Sequence, residues 1–159
     1  MSQFKYLGHI INNTLNDDDN IKREIKNLFM RTNMLINRHR KCSINVKLTL
    51  FKTFCMSMYD LCLWKHYSVT VLNKFRSCYN KCIKKFFGYS RRQSMYGILI
   101  LLFLPTADTI LHNSRIVFQQ HCVSSCNKIV KWLVTVGLWS VLFMICCFSF
   151  FSCYNSIFI

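Results

Sequence analysis

A single proline, Pro105, and four glycines punctuate 159 residues. A chain with so few breakers, and so much Leu, Ile and Phe between them, is constrained towards long helices. The fold class this predicts is mainly α: a short N-terminal strand, then a basic helical bundle, then a C-terminal apolar helix. The exception to helix stands at the start. Phe4-Lys5-Tyr6-Leu7-Gly8-His9-Ile10-Ile11 runs into Asn12-Asn13, and aromatic and β-branched residues closed by a polar pair read as a short strand leading into a turn. No second strand is expected nearby for it to pair with, and an isolated strand is marginal in water. The expectation is therefore that it belongs to a larger fold. Length alone suits one core, while shifts in composition divide the chain into a strand and turn (1–15), a bundle (16–125) and an apolar segment (126–159).

Helical periodicity lays out the bundle. Apolar residues at 21, 25, 28, 29, 35 and 36, with Thr32, share one face at about 100° per residue, which predicts an amphipathic helix over 19–40. Asn16-Asp17-Asp18-Asp19 holds half of the six acids and is expected to cap that helix by accepting its free amide N–H groups, each effect on the order of 1 kcal/mol. A second helix is expected over 43–65 with Ser43 as N-cap. Its apolar positions, from Val46 and Phe51 to Leu61 and Trp64, wrap most of the circumference, the pattern of a buried central hub. A third is expected over 68–87, closed by Gly88. On it Val71, Phe75, Cys78, Tyr79, Cys82, Ile83 and Phe86 form one stripe. A short apolar helix over 95–104 follows, stopped by Pro105, and then another to about residue 120, capped by Thr106 or Asp108.

Charge separates two physical regimes. Up to Asn127 the chain carries 19 Lys and Arg and all 6 acids; after that only Lys128 and Lys131 are charged. The formal charge of +15 far exceeds what solubility needs, and the usual partner of such a surface is a polyanion, nucleic acid or anionic lipid. Residues 132–151 are uncharged and, as a helix rising about 1.5 Å per residue, would reach the ~30 Å of a bilayer's hydrocarbon. The expectation is a candidate transmembrane helix with the basic body on the cytoplasmic side. The competing reading is an accidental apolar extension of a truncated reading frame. No signal peptide opens the chain, so without insertion the expected location is cytoplasmic or nuclear.

The ten cysteines lack the regular spacing of a disulfide scaffold and read as reduced, small apolar residues. Cys78 and Cys82, like Cys122 and Cys126, stand four apart on helices. Zinc pairs favour tighter turns, so core packing is the better reading, and no metal or other cofactor is expected. Nucleotidyl transfer needs carboxylates from separate strands around two metal ions. The only acids are Asp17, Asp18, Asp19, Glu24, Asp60 and Asp108; none stands in such an arrangement, and Asp60 reads as a partnered structural carboxylate. No catalytic residue is assigned and no enzyme is expected. What remains is basic residues interleaved with aromatics: Lys5 with Tyr6, and Lys74, Lys81, Lys84 and Lys85 with Phe86 and Tyr89, followed by Arg91 and Arg92. Lys and Arg neutralise phosphates and exposed rings stack on bases, so Lys5, Tyr6, Lys74, Lys81, Lys84, Lys85, Arg91 and Arg92 are the candidate nucleic-acid-binding residues.

The order and spacing of several segments resemble one family. Phe4-Lys5-Tyr6-Leu7-Gly8-His9-Ile10-Ile11, an acidic turn and Ile21-Lys22-Arg23-Glu24-Ile25 come first. Lys47-Leu48-Thr49-Leu50-Phe51-Lys52, Tyr59-Asp60-Leu61-Cys62-Leu63-Trp64 and Phe86-Phe87-Gly88-Tyr89-Ser90-Arg91-Arg92 follow, and the likeness weakens after Leu111-His112-Asn113. Together they are similar to the region after the catalytic palm in reverse transcriptases of non-LTR (LINE-type) retrotransposons. That resemblance implies a primer-grip hairpin carrying Tyr6-Leu7-Gly8, thumb helices that hold a template–primer duplex, and a fragment without the aromatic-x-Asp-Asp palm that would extend it. Two other readings stand beside it: a small tail-anchored membrane protein with a cationic body, and an open reading frame without selected function. Oligomeric state is left open.

Overall fold

The computed structural model describes residues 3–6, 9–58 and 60–136. They form a two-stranded hairpin, β1 (Gln3–Tyr6) and β2 (His9–Asn12), followed by α1 (Asp18–His39), α2 (Ile44–Cys55), α3 (Val69–Phe87), α4 (Met95–Leu102), α5 (Ala107–Ser124) and α6 (Lys128–Thr135). The mainly α class is as the sequence predicts. Two compact units divide the chain, Met1–Leu111 and the part from His112 onward, with α5 passing from one to the other.

The single unpaired strand expected at the N-terminus is in fact a hairpin. β1 and β2 pair antiparallel, Gln3 opposite Asn12 and Tyr6 opposite His9. The apolar run that reads as one strand is two, separated by Leu7-Gly8. So small a hairpin is marginal alone, and a side chain supports it. Asn20, fully buried on α1, accepts from Ile10 N–H at 2.8 Å through Oδ1 and donates to Ile10 O at 2.9 Å through Nδ2. One amide thus occupies the edge position a third strand would fill.

The aspartates do not cap α1 as expected. Asp17 is its N-cap residue, but its side chain makes no capping bond. Its Oδ2 accepts instead from Lys65 N–H at 2.8 Å and His66 N–H at 3.1 Å, while its own N–H donates to His66 O at 2.7 Å. Asp18 accepts from Ser68 N–H and Oγ at 2.8 and 2.9 Å. The acidic turn holds the chain around residue 66 against the start of α1.

That connection also explains the largest departure from expectation. The second helix ends at Cys55 rather than near Lys65, and it is not the hub, since only Phe51 and Cys55 on it are buried. Beyond it Asp60 adopts a left-handed backbone, φ 67°, ahead of a 3-10 turn at Leu61–Leu63. Arg31 Nη1 donates to Ser57 O at 3.0 Å, Arg23 Nη2 donates to Asp60 Oδ2 at 2.6 Å, and Asp17 takes the amides of Lys65 and His66. These long-range bonds substitute for the helical ones. Trp64 reaches the core from this loop and meets Phe75 edge-on at 5.4 Å.

The hub is α3. Val71, Leu72, Phe75, Cys78, Tyr79, Cys82, Ile83 and Phe86 are buried on it, and Phe51 from α2 packs on Phe86 with rings stacked at 6.0 Å. Its ends are those the sequence predicts: Ser68 Oγ accepts from Val71 N–H at 3.4 Å, and Gly88, φ 79°, sends its N–H to Lys84 O. Only a residue that tolerates positive φ fits there. After α4, which stops at Leu102 instead of Leu104, Thr106 Oγ1 accepts from Thr109 N–H at 3.1 Å and so caps α5. In the second unit Phe118, Cys122 and Val130 are buried, and Asn127 Oδ1 caps α6 by accepting from Ile129 N–H at 2.9 Å. Among the described residues no single helix is long and apolar enough to cross a membrane; the segment expected to span, 132–151, lies mostly outside them.

Asn20→Ala should release the hairpin. It deletes both bonds to Ile10 and is expected to lower stability by roughly 2 kcal/mol, read as a lower urea midpoint with faster amide exchange over β2 and unchanged exchange in α3.

Candidate nucleic-acid interface

α1 and α3 lie side by side and point the same way. Ser68 meets Asp18, Cys78 Sγ lies 3.7 Å from Ile25 O, and Lys85 Nζ donates to Asn33 Oδ1 at 2.8 Å. Contacts that advance together along both chains require parallel axes. At about 100° per residue, Lys74, Lys81 and Lys85 fall within about 40° of arc on α3, and Lys22, Lys26 and Asn33 within about 40° on α1. The Lys85–Asn33 bond joins these two rows, and Lys26, Lys74, Lys81 and Lys85 are all exposed. From Lys74 to Lys85 the row extends about 16 Å at 1.5 Å per residue.

One carboxylate, Asp19, meets this surface, at Lys22; among the described residues none of the others pairs with Lys26, Lys74, Lys81 or Lys85. Asp17 and Asp60 face His9, with Arg23 also on Asp60. Asp18 serves Ser68, Asp19 pairs with Lys22 at 2.9 Å, the buried Glu24 pairs with Arg31, and Asp108 pairs with Arg76 at 2.7 Å. The three consecutive aspartates therefore point to three separate partners, and among the described residues no group of His, Cys, Asp or Glu is arranged to hold a metal ion.

The remaining predicted residues fall elsewhere. Lys84 lies about 80° around α3 from the lysine row; its Nζ donates to Arg91 O at 3.0 Å and Gln93 O at 2.5 Å. It braces the turn that carries the exposed Arg91 and Arg92. Lys5 is exposed on β1, and Tyr6 stands opposite His9 at the end of that strand. Both belong to a hairpin anchored on the start of α1. The interleaving of charge and aromatics resolves in space: Phe86 is buried and Tyr89 packs against the core, so the lysine row carries charge without their rings. Cys78, Cys82 and Cys122 are likewise buried, whereas Cys126 is exposed. Burial pushes the Cys55 thiol up to about 11, and the contact with Cys82, with burial, raises Cys78.

A cluster around His9 escapes the sequence reading. His9 Nε2 lies 3.5 Å from Asp17 Oδ1 and Nδ1 lies 3.6 Å from Asp60 Oδ2, with Asn20 Nδ2 3.2 Å from Nε2. Burial alone would lower the imidazole's pKa, but the two carboxylates overcome it and raise it to about 9. Asp17 and Asp60 are held below the usual carboxylate range: burial opposes this, but His9 and the Lys65 and His66 amides outweigh it at Asp17, and His9 and Arg23 do so at Asp60. The available signal was polar residues at core positions, Asn20 and Glu24 flanking the buried Ile21 and Leu28.

This cluster makes stability depend on pH. A histidine raised on folding contributes fully below its unfolded value of about 6.5, and that contribution is lost as pH rises towards the folded value. Stability should therefore fall by on the order of 2 kcal/mol between pH 6.5 and about 9. The aspartate contribution is lost at the acid end, as pH falls below about 4. Urea unfolding at a series of pH values should show both limbs, and His9→Gln should flatten the alkaline one below pH 9.

Compared with known proteins, the chain matches no protein-family model, no curated protein and no solved structure.

Proposed function

We propose that this chain is a primer-grip and thumb fragment of a non-LTR reverse transcriptase type, one that holds nucleic acid by its phosphates and does not extend it. The observation that carries the reading is the pair of joined polar rows on α1 and α3, in which Lys26, Lys74, Lys81 and Lys85 face solvent and pair with no acid. Asp19 pairs with Lys22 at the edge of the same surface, and the other acids are engaged elsewhere. A hairpin followed by parallel basic helices also suits the family resemblance. The six carboxylates, spent on His9, arginines, Lys22 and Ser68, suit a role without catalysis.

Charge without an adjacent stacking surface favours contact with the sugar–phosphate backbone over base readout, so the binding should be non-specific and salt-sensitive. Replacing Lys74, Lys81 and Lys85 together by Gln is expected to weaken binding of a labelled duplex at least tenfold at low salt. It should also reduce the slope of log affinity against log salt by about 3, close to one for each lysine. Fluorescence anisotropy across a salt series measures both quantities. An unchanged slope in the triple variant would refute this assignment.

A further inference from the structure

We infer that the outer face of α4, together with the Arg91-Arg92 turn ahead of it, docks on the surface of an anionic lipid bilayer. α4 is rooted in the core through Ile98, Leu99 and Leu102, with Met95 packed against it and Leu104 just beyond, yet its outer face is bare: Tyr96 is 76% exposed, Ile100 73% and Leu101 70%, and Phe103 at its end 85%. Phe103 is the most exposed large hydrophobic residue among those described. It also stands in a left-handed backbone, φ 50°, closing the helix with its N–H on Ile100 O at 3.2 Å. Glycine is the usual occupant of such a position. A bare ring on a backbone position that favours glycine costs stability and gains no core contact, and residues held in such conformations cluster at functional sites.

Charge selects the occupant. Residues 61–107 contain eight Lys and Arg and no Asp or Glu, and Arg91 and Arg92 are exposed in the turn that leads into α4. A second copy of the chain would bring this acid-free segment against its twin with nothing to pair the arginines. A nucleic acid could use the arginines and the two rings but would leave Ile100 and Leu101 against polar groups. An anionic bilayer takes all six: Ile100, Leu101 and Phe103 at the acyl boundary, the Tyr96 hydroxyl among headgroups, and the two guanidinium groups on lipid phosphates and carboxylates. α4 has eight residues, too few to span alone. Although α4 and α5 together are long and apolar enough as a pair bent by 53°, α5 carries Asp108 and Arg115, so α4 lies in the plane of the interface. This surface is independent of Lys74, Lys81 and Lys85.

The test is flotation of the full chain with vesicles of phosphatidylcholine, with and without phosphatidylserine. The unsubstituted chain should partition onto the anionic vesicles about tenfold more strongly than onto the neutral ones. The variant I100S/L101S/F103S should lose at least tenfold of that partitioning, and R91Q/R92Q should lose the preference for phosphatidylserine. Phe103→Gly keeps the fold in play: relieved of its positive-φ strain, it should melt higher while binding vesicles more weakly. Residues 126–159 are untouched in all of these, so a serine variant that floats like the unsubstituted chain overturns the inference. So does equal binding to neutral vesicles, or a serine variant that loses duplex binding while its flotation is unchanged.

Discussion

Asp17 is the joint on which the first unit turns. It ends the link from the hairpin, begins α1, takes two amides from the chain at 65–66 and faces His9 on β2. Because one carboxylate serves the hairpin and the approach to α3 together, the hairpin's position and the parallel setting of α1 and α3 are not separate facts. Asp60 repeats the arrangement from the other side, with His9 between the two acids and Arg23 behind. A buried group of this kind costs desolvation and returns it only when each member is paired. Its members are matched in charge here, although His9 Nδ1 meets Asp60 Oδ2 at 3.6 Å without a hydrogen bond. That match ties the geometry of the loop to the charge state of one imidazole.

The same economy governs the surface. Six acids among 21 basic residues could have been scattered as surface pairs, each contributing little. Two are used so, Asp19 with Lys22 and Asp108 with Arg76, while Asp17, Asp18, Glu24 and Asp60 hold the loop before α3, the hairpin and the arginines that brace them. The basic excess is left facing solvent in part because these four acids are occupied within the fold, so the interior wiring and the cationic exterior arise from one allocation of charge.

Local signals were legible and distant ones were not. Ser68 and Gly88 bound α3 because capping and positive φ are properties of a few adjacent residues, and the stripe from Val71 to Phe86 needed only its period. The break after Cys55 had no such marker: the partners that hold residues 57–66 are Arg31, Arg23 and Asp17, all remote in sequence. Leu61 and Trp64 fit a helical stripe on paper and reach the core by another route. For the candidate interface, the sequence reading grouped Lys74, Lys81, Lys84 and Lys85 on one side of α3, whereas at about 100° per residue Lys84 stands about 80° from the other three. Spacing could not foresee that Lys84 would fold back onto Arg91 O and Gln93 O, because that bond depends on where the chain goes after Gly88.

Parallel packing of α1 and α3 sets two helix dipoles pointing the same way, an arrangement that is unfavourable unless the ends are compensated. Asp17, Asp18 and Asp19 gather at the amino ends, whereas residues 25–59 contain no acid at all. Arg38 and His39 sit in the last turn of α1, and Lys84 and Lys85 in that of α3. The pair of helices is thus a polarised rod, tempered at one tip and increasingly positive towards the other. The electrostatic potential along the pair is therefore graded, strongest around the last turns of the two helices, so small anions in solution gather at that tip rather than evenly along the rod.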